Sequence, residues 1–244
     1  MIAEARMDAL MNQGWQAAHL TQLDGWLVRH DAGVTLRANS VLPASAPFDL
    51  DKALDYVENL YVAHGIRPSF QIGPAVQPSD LDDRLAARGY EVRNPTLVQC
   101  GLLTDVLAQL PAPEVEVNIS STPSVAWTDC WWSIDGRGDD ARATAEEILR
   151  RGNALYATVP GPDGAAKAVG RLALVDDTAG LYCLAVDERF RRQGLASAII
   201  HGLLQAATTK WVWLSVLESN LAARTLYERL GFRTVSRYHY RVKA

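Results

Sequence analysis

The stretch "AVDERFRRQGLASAIIHGLL", Ala185 to Leu204, decides how this chain is read. A strand-like apolar run ends in an arginine-rich turn, a single Gly194 follows, and a helical pattern begins. Leu195, Ile199 and Leu203 fall on one line with Ile200 and Leu204 beside it, the spacing of a helix with a broad buried face. A helix N-terminus offers unpaired N–H groups and the positive end of a dipole, and glycine lets an anion approach them closely. Arg191, Arg192, Gln193, Gly194, Leu195 and Ala196 therefore read as a phosphate cradle or as a solvated strand-to-helix loop. The turn by itself does not separate the two.

Working outward, "WVWLSVLE" reads as a strand, "SNLAARTLYERLG" as a helix and "FRTVSRYHYRVK" as a closing strand. Asn220 is an N-cap for that helix, and Tyr227, seven residues on, returns to nearly the same face after two turns. Upstream, "GLYCLAV" is apolar on both faces, as expected of a central buried strand. It is preceded by strands at "EVEVNIS", "NALYATVP" and "AAKAVGRLALVDD" and by helices at "SVAWTDCWWSID" and "DDARATAEEILRRG".

The chain of 244 residues is 48% hydrophobic and 21% charged, the composition of a globular protein. A net charge of −4 gives no reason to expect nucleic acid or an anionic membrane surface as partner. No apolar run approaches 18 residues, and the acidic start "MIAEARMDALMNQGW" has no apolar core of a secretion signal, so a cytoplasmic protein is expected. Cys100, Cys130 and Cys183 lack CxxC spacing, and the five histidines form no HExxH. Reduced cysteines and no metal are the expectation.

The proline-bracketed "LPAPEVE" divides the chain into two segments, 1–110 and 111–244. Sliding the chain by 142 residues lays Gly89 on Gly231 and "DKALDYVENLYVAHG" on the helix after Gly194. The strand, helix, strand, helix, strand order repeats, which points to an internal duplication. "TLRANSV" falls opposite "LYCLAV" and is expected to be a strand, with Arg37 and Asn39 at the interface between halves or on its acceptor side. The first half carries "SAPFDLD" in place of "RRQGLA", and Leu85 in place of Tyr227. A site, if present, is in the second half.

With the turn and the second helix together, the sequence resembles the GNAT N-acetyltransferase superfamily. R/Q-x-x-G-x-G/A is met by Arg191, Gly194 and Ala196, and N-x-x-A-x-x-L-Y-x-x-x-G-F by Asn220, Ala223, Leu226, Tyr227, Gly231 and Phe232. The motif-bearing region is about a fifth of the chain. The resemblance implies an α/β fold with a mixed, mostly antiparallel sheet and splayed central parallel strands, here as two GNAT-like halves in tandem. Segment 1–110 would be degenerate and 111–244 catalytic. It implies acetyl-CoA as cosubstrate, with Leu184, Ala185 and Val186 offering backbone groups to the pantetheine. Arg191 to Ala196, extended to Ser197, would hold the pyrophosphate, with Asn220 and Tyr227 lining the same site. The partner would be a small-molecule or peptide amine, and the protein a monomer or homodimer.

Acetyl transfer by direct attack needs a neutral amine and a protonated leaving thiol. By its place in the motif, Tyr227 is the candidate acid for the thiolate, and a backbone N–H near Val186 is the candidate oxyanion donor. Several family members carry a glutamate on the strand before the turn, where this chain has Gly180. Glu218 is the nearest acidic alternative for the base, ahead of Asp135 and His239. Tyr182 and Cys183 fall where they can line the cleft. Trp127 and Trp131, at i and i+4 in "WTDCWW", read as packing, or, as the resemblance allows, as an aromatic wall of the acceptor pocket. Arg233, Arg237, His239, Arg241 and Lys243 share one face of the last strand and read as a solvated edge. A non-catalytic acyl-CoA sensor is the alternative. A nucleotide-binding protein is disfavoured because neither GxxxxGK[ST] nor GxGxxG occurs.

Overall fold

A computed structural model describes residues 2, 3, 6–136 and 138–244. Eleven strands form one sheet, in the order β1-β2-β3-β4-β11-β5-β10-β9-β8-β7-β6. The first half contributes α1 (Met7–Gly14), β1 (His19–Leu23), β2 (Trp26–His30), β3 (Val41–Pro43), α2 (Leu50–Ala63), β4 (Ser69–Ile72), α3 (Leu81–Ala87) and β5 (Tyr90–Leu102). A short connecting helix, α4 (Leu103–Ala108), leads to β6 (Asn118–Ser120), α5 (Val125–Asp135), α6 (Arg142–Arg150), β7 (Ala154–Pro160), β8 (Ala166–Val175) and β9 (Thr178–Val186). The chain closes with α7 (Leu195–Gln205), β10 (Trp211–Leu217), α8 (Leu221–Arg229) and β11 (Arg233–Lys243). Among the described residues only β3–β4 and β9–β10 pair in parallel, so the sheet is mixed and mostly antiparallel, as expected.

The repeat seen in the sequence recurs as β3-α2-β4-α3-β5 against β9-α7-β10-α8-β11. Each half's last strand crosses to the other half. β5 pairs with β10, from Leu102 opposite Trp211 to Thr96 opposite Leu217, while β11 pairs with β4 on its outer side. Between them β5 and β11 pair with each other, and Thr96 lies opposite Tyr238, its own equivalent at an offset of 142. That is the arrangement a two-fold axis between these two strands requires. Arg29 and Arg171 are related by the same offset and are both buried.

β11 is therefore central, and the expectation of a solvated edge face is corrected. Three of its five basic residues are covered by first-half carboxylates, with Arg241 Nε donating to Asp82 at 2.7 Å, His239 Nε2 lying 3.0 Å from the same carboxylate and Lys243 reaching Glu58 at 3.1 Å, while Arg233 and Arg237 stay exposed. "TLRANSV" is also not a strand along its length. Leu36–Ala38 is a 3₁₀ turn, because the Asn39 side chain takes the N–H groups of Asp31 and Gly33 and donates to Thr35, closing a loop instead. "EVEVNIS" pairs only over Asn118–Ser120.

Strand alternation sorts the second half's core onto two faces. Leu172, Val212, Leu214 and Val216 pack under α7 and α8, while Val169, Ala173, Val175 and Trp213 pack on the face covered by α1, α5 and α6. On β9 the alternation slips. Ala179 and Leu181 belong to the first face, but so do Leu184 and Val186. The extra residue is Cys183, at φ +52°, where the β8–β9 register shifts. Such a bulge turns every later side chain to the other face and bends the strand. Among the described residues no helix is long and apolar enough to cross a membrane.

Candidate functional site

The parallel pairing of β9 with β10 runs from Thr178 opposite Trp211 to Leu181 opposite Leu214 and stops. Beyond that point β9 remains paired with β8 through Ala185 and Val186, so its β10-facing edge is open. The two strands splay where the Cys183 bulge lies, and a cleft of about 280 Å³ opens between them. Leu184 and Ala185 form one wall, and Ser215, Leu217, Asn220 and Tyr227 another. α7 follows the end of β9 and α8 the end of β10, so both helices begin on the splayed side.

The 191–197 turn presents open backbone donors at the head of α7. Gly194 is the N-cap of α7 at φ +76°, a conformation that costs other residues about 1–2 kcal/mol. Nothing lies within 4 Å of where a Cβ would stand, so the backbone here is open to approach. The first helical hydrogen bond runs from Ala198 N–H to Gly194 C=O at 3.0 Å, which leaves Leu195, Ala196 and Ser197 N–H without a helical acceptor. Arg189 is occupied by Asp187 and Arg191 by Glu188, whereas Arg192 has no ion pair among the described residues. The turn is thus net positive at a helix N-terminus.

Asn220 caps α8 as expected, its Oδ1 accepting from Ala223 N–H at 3.1 Å. Tyr227 is buried against Phe232 with its ring lining the cleft. Burial pushes its hydroxyl up to about 12, so the phenol stays protonated. Cys183 also lines the cleft, and burial pushes its thiol up to about 12 although Arg171 and Arg37 lie near. It is a thiol, not a thiolate, at neutral pH.

The other sequence candidates separate. Asp135, at the end of α5, lines the cleft and is the one carboxylate among the described residues that do so. Glu218 follows β10, where Ser215 and Leu217 line the cleft, and it is not part of the lining. His239 is tied to Asp82. Gly180 has a packing reason: it lies opposite Trp213 in the parallel register, and a Cβ there would stand 2.6 Å from Trp213 Cζ2. No strand glutamate fits that position without moving a fully buried indole. Trp127 is a core residue whose Nε1 donates to Gly170 O at 3.2 Å, whereas Trp131 lines the cleft with its Nε1 unpartnered among the described residues. Arg37 joins the wall from the first half and lies 5.9 Å from the Tyr182 ring centre of the second, at the interface between the halves. Sequence reasoning missed Trp15, which supports it, and Tyr238 and Tyr240, which line an adjoining cavity with it. No local motif marks these residues, because they reach the site only through the exchanged strands and the crossing of α1.

The model of the family described as probable histone acetyltransferase Rv0428c C-terminal matches residues 5–241. The uncharacterized N-acetyltransferase YobR of Bacillus subtilis is 27% identical over 243 residues, covering 98% of each chain. In fold, a GCN5-related N-acetyltransferase from Kribbella flavida superposes with a TM-score of 0.69 at 18% identity, over 100% of this chain and 96% of that one. A tandem GNAT protein from the clavulanic acid biosynthesis pathway gives 0.61 at 16% identity, over 79% and 68%. With the splayed β9–β10 pair, the glycine turn at the head of α7 and this match along nearly its whole length, the chain belongs to the Rv0428c C-terminal family of the GNAT N-acetyltransferase superfamily.

Proposed function

We propose that the chain transfers an acetyl group from acetyl-CoA to an amine by direct attack, in the cleft between β9 and β10. The observation that carries this is the open edge of β9 leading to the free N–H groups at the head of α7. Residues 184–186 would bind the pantetheine through backbone groups, and residues 191–197 the pyrophosphate. Acetyl-CoA supplies the acyl group as a thioester, and the chain's own residues orient it and move protons.

The ammonium loses one proton to become a neutral amine, its nitrogen bonds to the carbonyl carbon, the carbon–sulfur bond breaks and the sulfur leaves with the electron pair. The second nitrogen proton, released as the amide forms, ends on the sulfur by way of solvent. At an amine pKa near 10.4, roughly one molecule in a few thousand is neutral at pH 7, so a proton acceptor matters. Asp135 is the carboxylate in the lining and takes this role in place of Glu218, passing the proton to solvent from its exposed position at the end of α5. Tyr227 donates a hydrogen bond to the sulfur. With its hydroxyl near 12, full transfer to a thiolate of about 8.5 would run uphill by about 5 kcal/mol, so its contribution is stabilisation of sulfur as charge builds. The protonated Cys183 supports direct attack over an acyl-cysteine route.

The test is thiol release from acetyl-CoA with a panel of amines, for the native chain and Tyr227→Phe. Release that depends on amine and drops at least tenfold in the variant supports the assignment. No release with any amine, together with a melting temperature raised by acetyl-CoA, would make the chain an acyl-CoA-binding protein instead.

A further inference from the structure

Arg37 stands where the cleft between β9 and β10 meets a second, smaller cavity of about 70 Å³ on the first-half side. The two share Arg37, Ser215 and Leu217 in their walls, so they adjoin each other. The guanidinium lies over Trp15 at 4.6 Å and 5.9 Å from the Tyr182 ring centre. Its Nε is buried and has no hydrogen-bond partner among the described residues, and no carboxylate pairs with it there. Arg171 lies 5.7 and 5.6 Å from the same two rings and spends its donors on the carbonyls of Gly14 and Arg151 and the Tyr156 hydroxyl. Two cations thus share two aromatic rings with no anion between them.

A guanidinium set into a protein wall without an anion is costly, and an orphaned buried donor adds to that cost. A carboxylate that arrives with the ligand supplies the missing anion. The planar fork of arginine matches a carboxylate, which accepts two parallel hydrogen bonds. The smaller cavity offers Thr35, Asn94, Thr96 and Tyr238 as further polar groups around it, and no acid of its own among the described residues. The cleft's one carboxylate, Asp135, lies on α5, an element of the other half.

We propose that Arg37 binds a carboxylate of the acceptor, so that the acceptor is a small molecule carrying both an amine and a carboxylate. The proposal rests on the acetyl-transfer reading above. The acceptor's anionic end enters the smaller cavity against Arg37, and its amine lies toward the thioester and Asp135.

The experiment uses pairs that differ only in this group: amino acids of increasing length and their C-terminal amides, with CoA release as the readout. The native chain is expected to prefer acids over amides in kcat/KM by about tenfold to a hundredfold, the range for a charge-assisted pair. Arg37→Gln is expected to collapse that ratio toward one, chiefly through KM for the acids, and Arg37→Lys to restore part of it. Circular dichroism and acetyl-CoA affinity verify that the variants fold. Equal use of acids and amides by the native chain would overturn the Arg37 assignment and leave acetyl transfer standing, as would an equal loss for both in Arg37→Gln. Turnover of neither series would overturn acetyl transfer to such amines. Calorimetric titration of the same pairs into the CoA-loaded chain then decides the carboxylate site. Acids that bind the native chain and not Arg37→Gln support it, and no binding of either overturns it.

Discussion

Replacing Gly194 with valine tests the open donors at the head of α7. In the native turn this residue holds φ at +76°, where a β-branched side chain is strained by about 1–2 kcal/mol, and nothing within 4 Å obstructs the new Cβ. The stability cost is therefore backbone strain alone. For a chain of 244 residues, 1–2 kcal/mol corresponds to a melting temperature lower by about 2–8 °C, so the variant folds. Relief of the strain rotates the peptide ahead of Leu195 and disorders the N–H groups of residues 194–197. Each hydrogen bond to a charged oxygen contributes about 1.5–3 kcal/mol, so losing one weakens binding by about tenfold to a hundredfold. Calorimetric titration of CoA into Gly194→Val is expected to show that loss. An unchanged affinity in a folded variant would refute the assignment of the turn.

Three further outcomes follow from the geometry. Gly180→Ala places a Cβ 2.6 Å from Trp213 Cζ2, and this overpacking is expected to cost about 1–3 kcal/mol in denaturant melts; a cost below about 0.5 kcal/mol would mean the indole yields freely. His30 stacks on His19 at 4.6 Å and lies tilted against His64 at 4.4 Å, and burial, then His64 and His19, hold its pKa below the usual 6.5. Its contribution to stability is complete above about pH 6.5 and is lost as pH falls through the lowered native value, with a slope of at most about 1.4 kcal/mol per pH unit. The melting temperature is expected to fall between pH 7 and pH 5, and less steeply in His30→Gln; identical slopes would remove His30 as the cause. Finally, with Cys183 held as a thiol, mass spectrometry of the chain mixed with acetyl-CoA and no amine is expected to show no covalent acetyl group on Cys183. A stable acetyl-cysteine there would contradict direct attack.

The parts of the molecule legible in its sequence are those encoded by neighbours along the chain. The glycine turn, the Asn220 cap and the spacing to Tyr227 are short-range patterns, and each stands where its local chemistry puts it. The duplicated order of elements was legible for the same reason. What was not legible depends on contacts between distant segments. Nothing local in "FRTVSRYHYRVK" says that β11 slots between β4 and β5, so its basic face reads as an edge until Asp82 and Glu58 are brought over it. The Cys183 bulge leaves the composition of β9 unchanged, yet it decides which residues turn toward the core. The sequence ranks Glu218 ahead of Asp135 as base; only the turn of the chain after β10 and the placement of α5 reverse that order. Arg37 was noticed as a polar residue out of place, but its open donor is visible only once Trp15 and Tyr182 stand beside it.

Hydrogen–deuterium exchange with and without acetyl-CoA tests most directly the claim that one half holds the cosubstrate. Added acetyl-CoA is expected to protect the amides of residues 182–186 and 192–197 and to leave their counterpart segments 40–44 and 50–55 unchanged. Protection confined to 40–44 and 50–55, or absent from both halves at saturating acetyl-CoA, would contradict it.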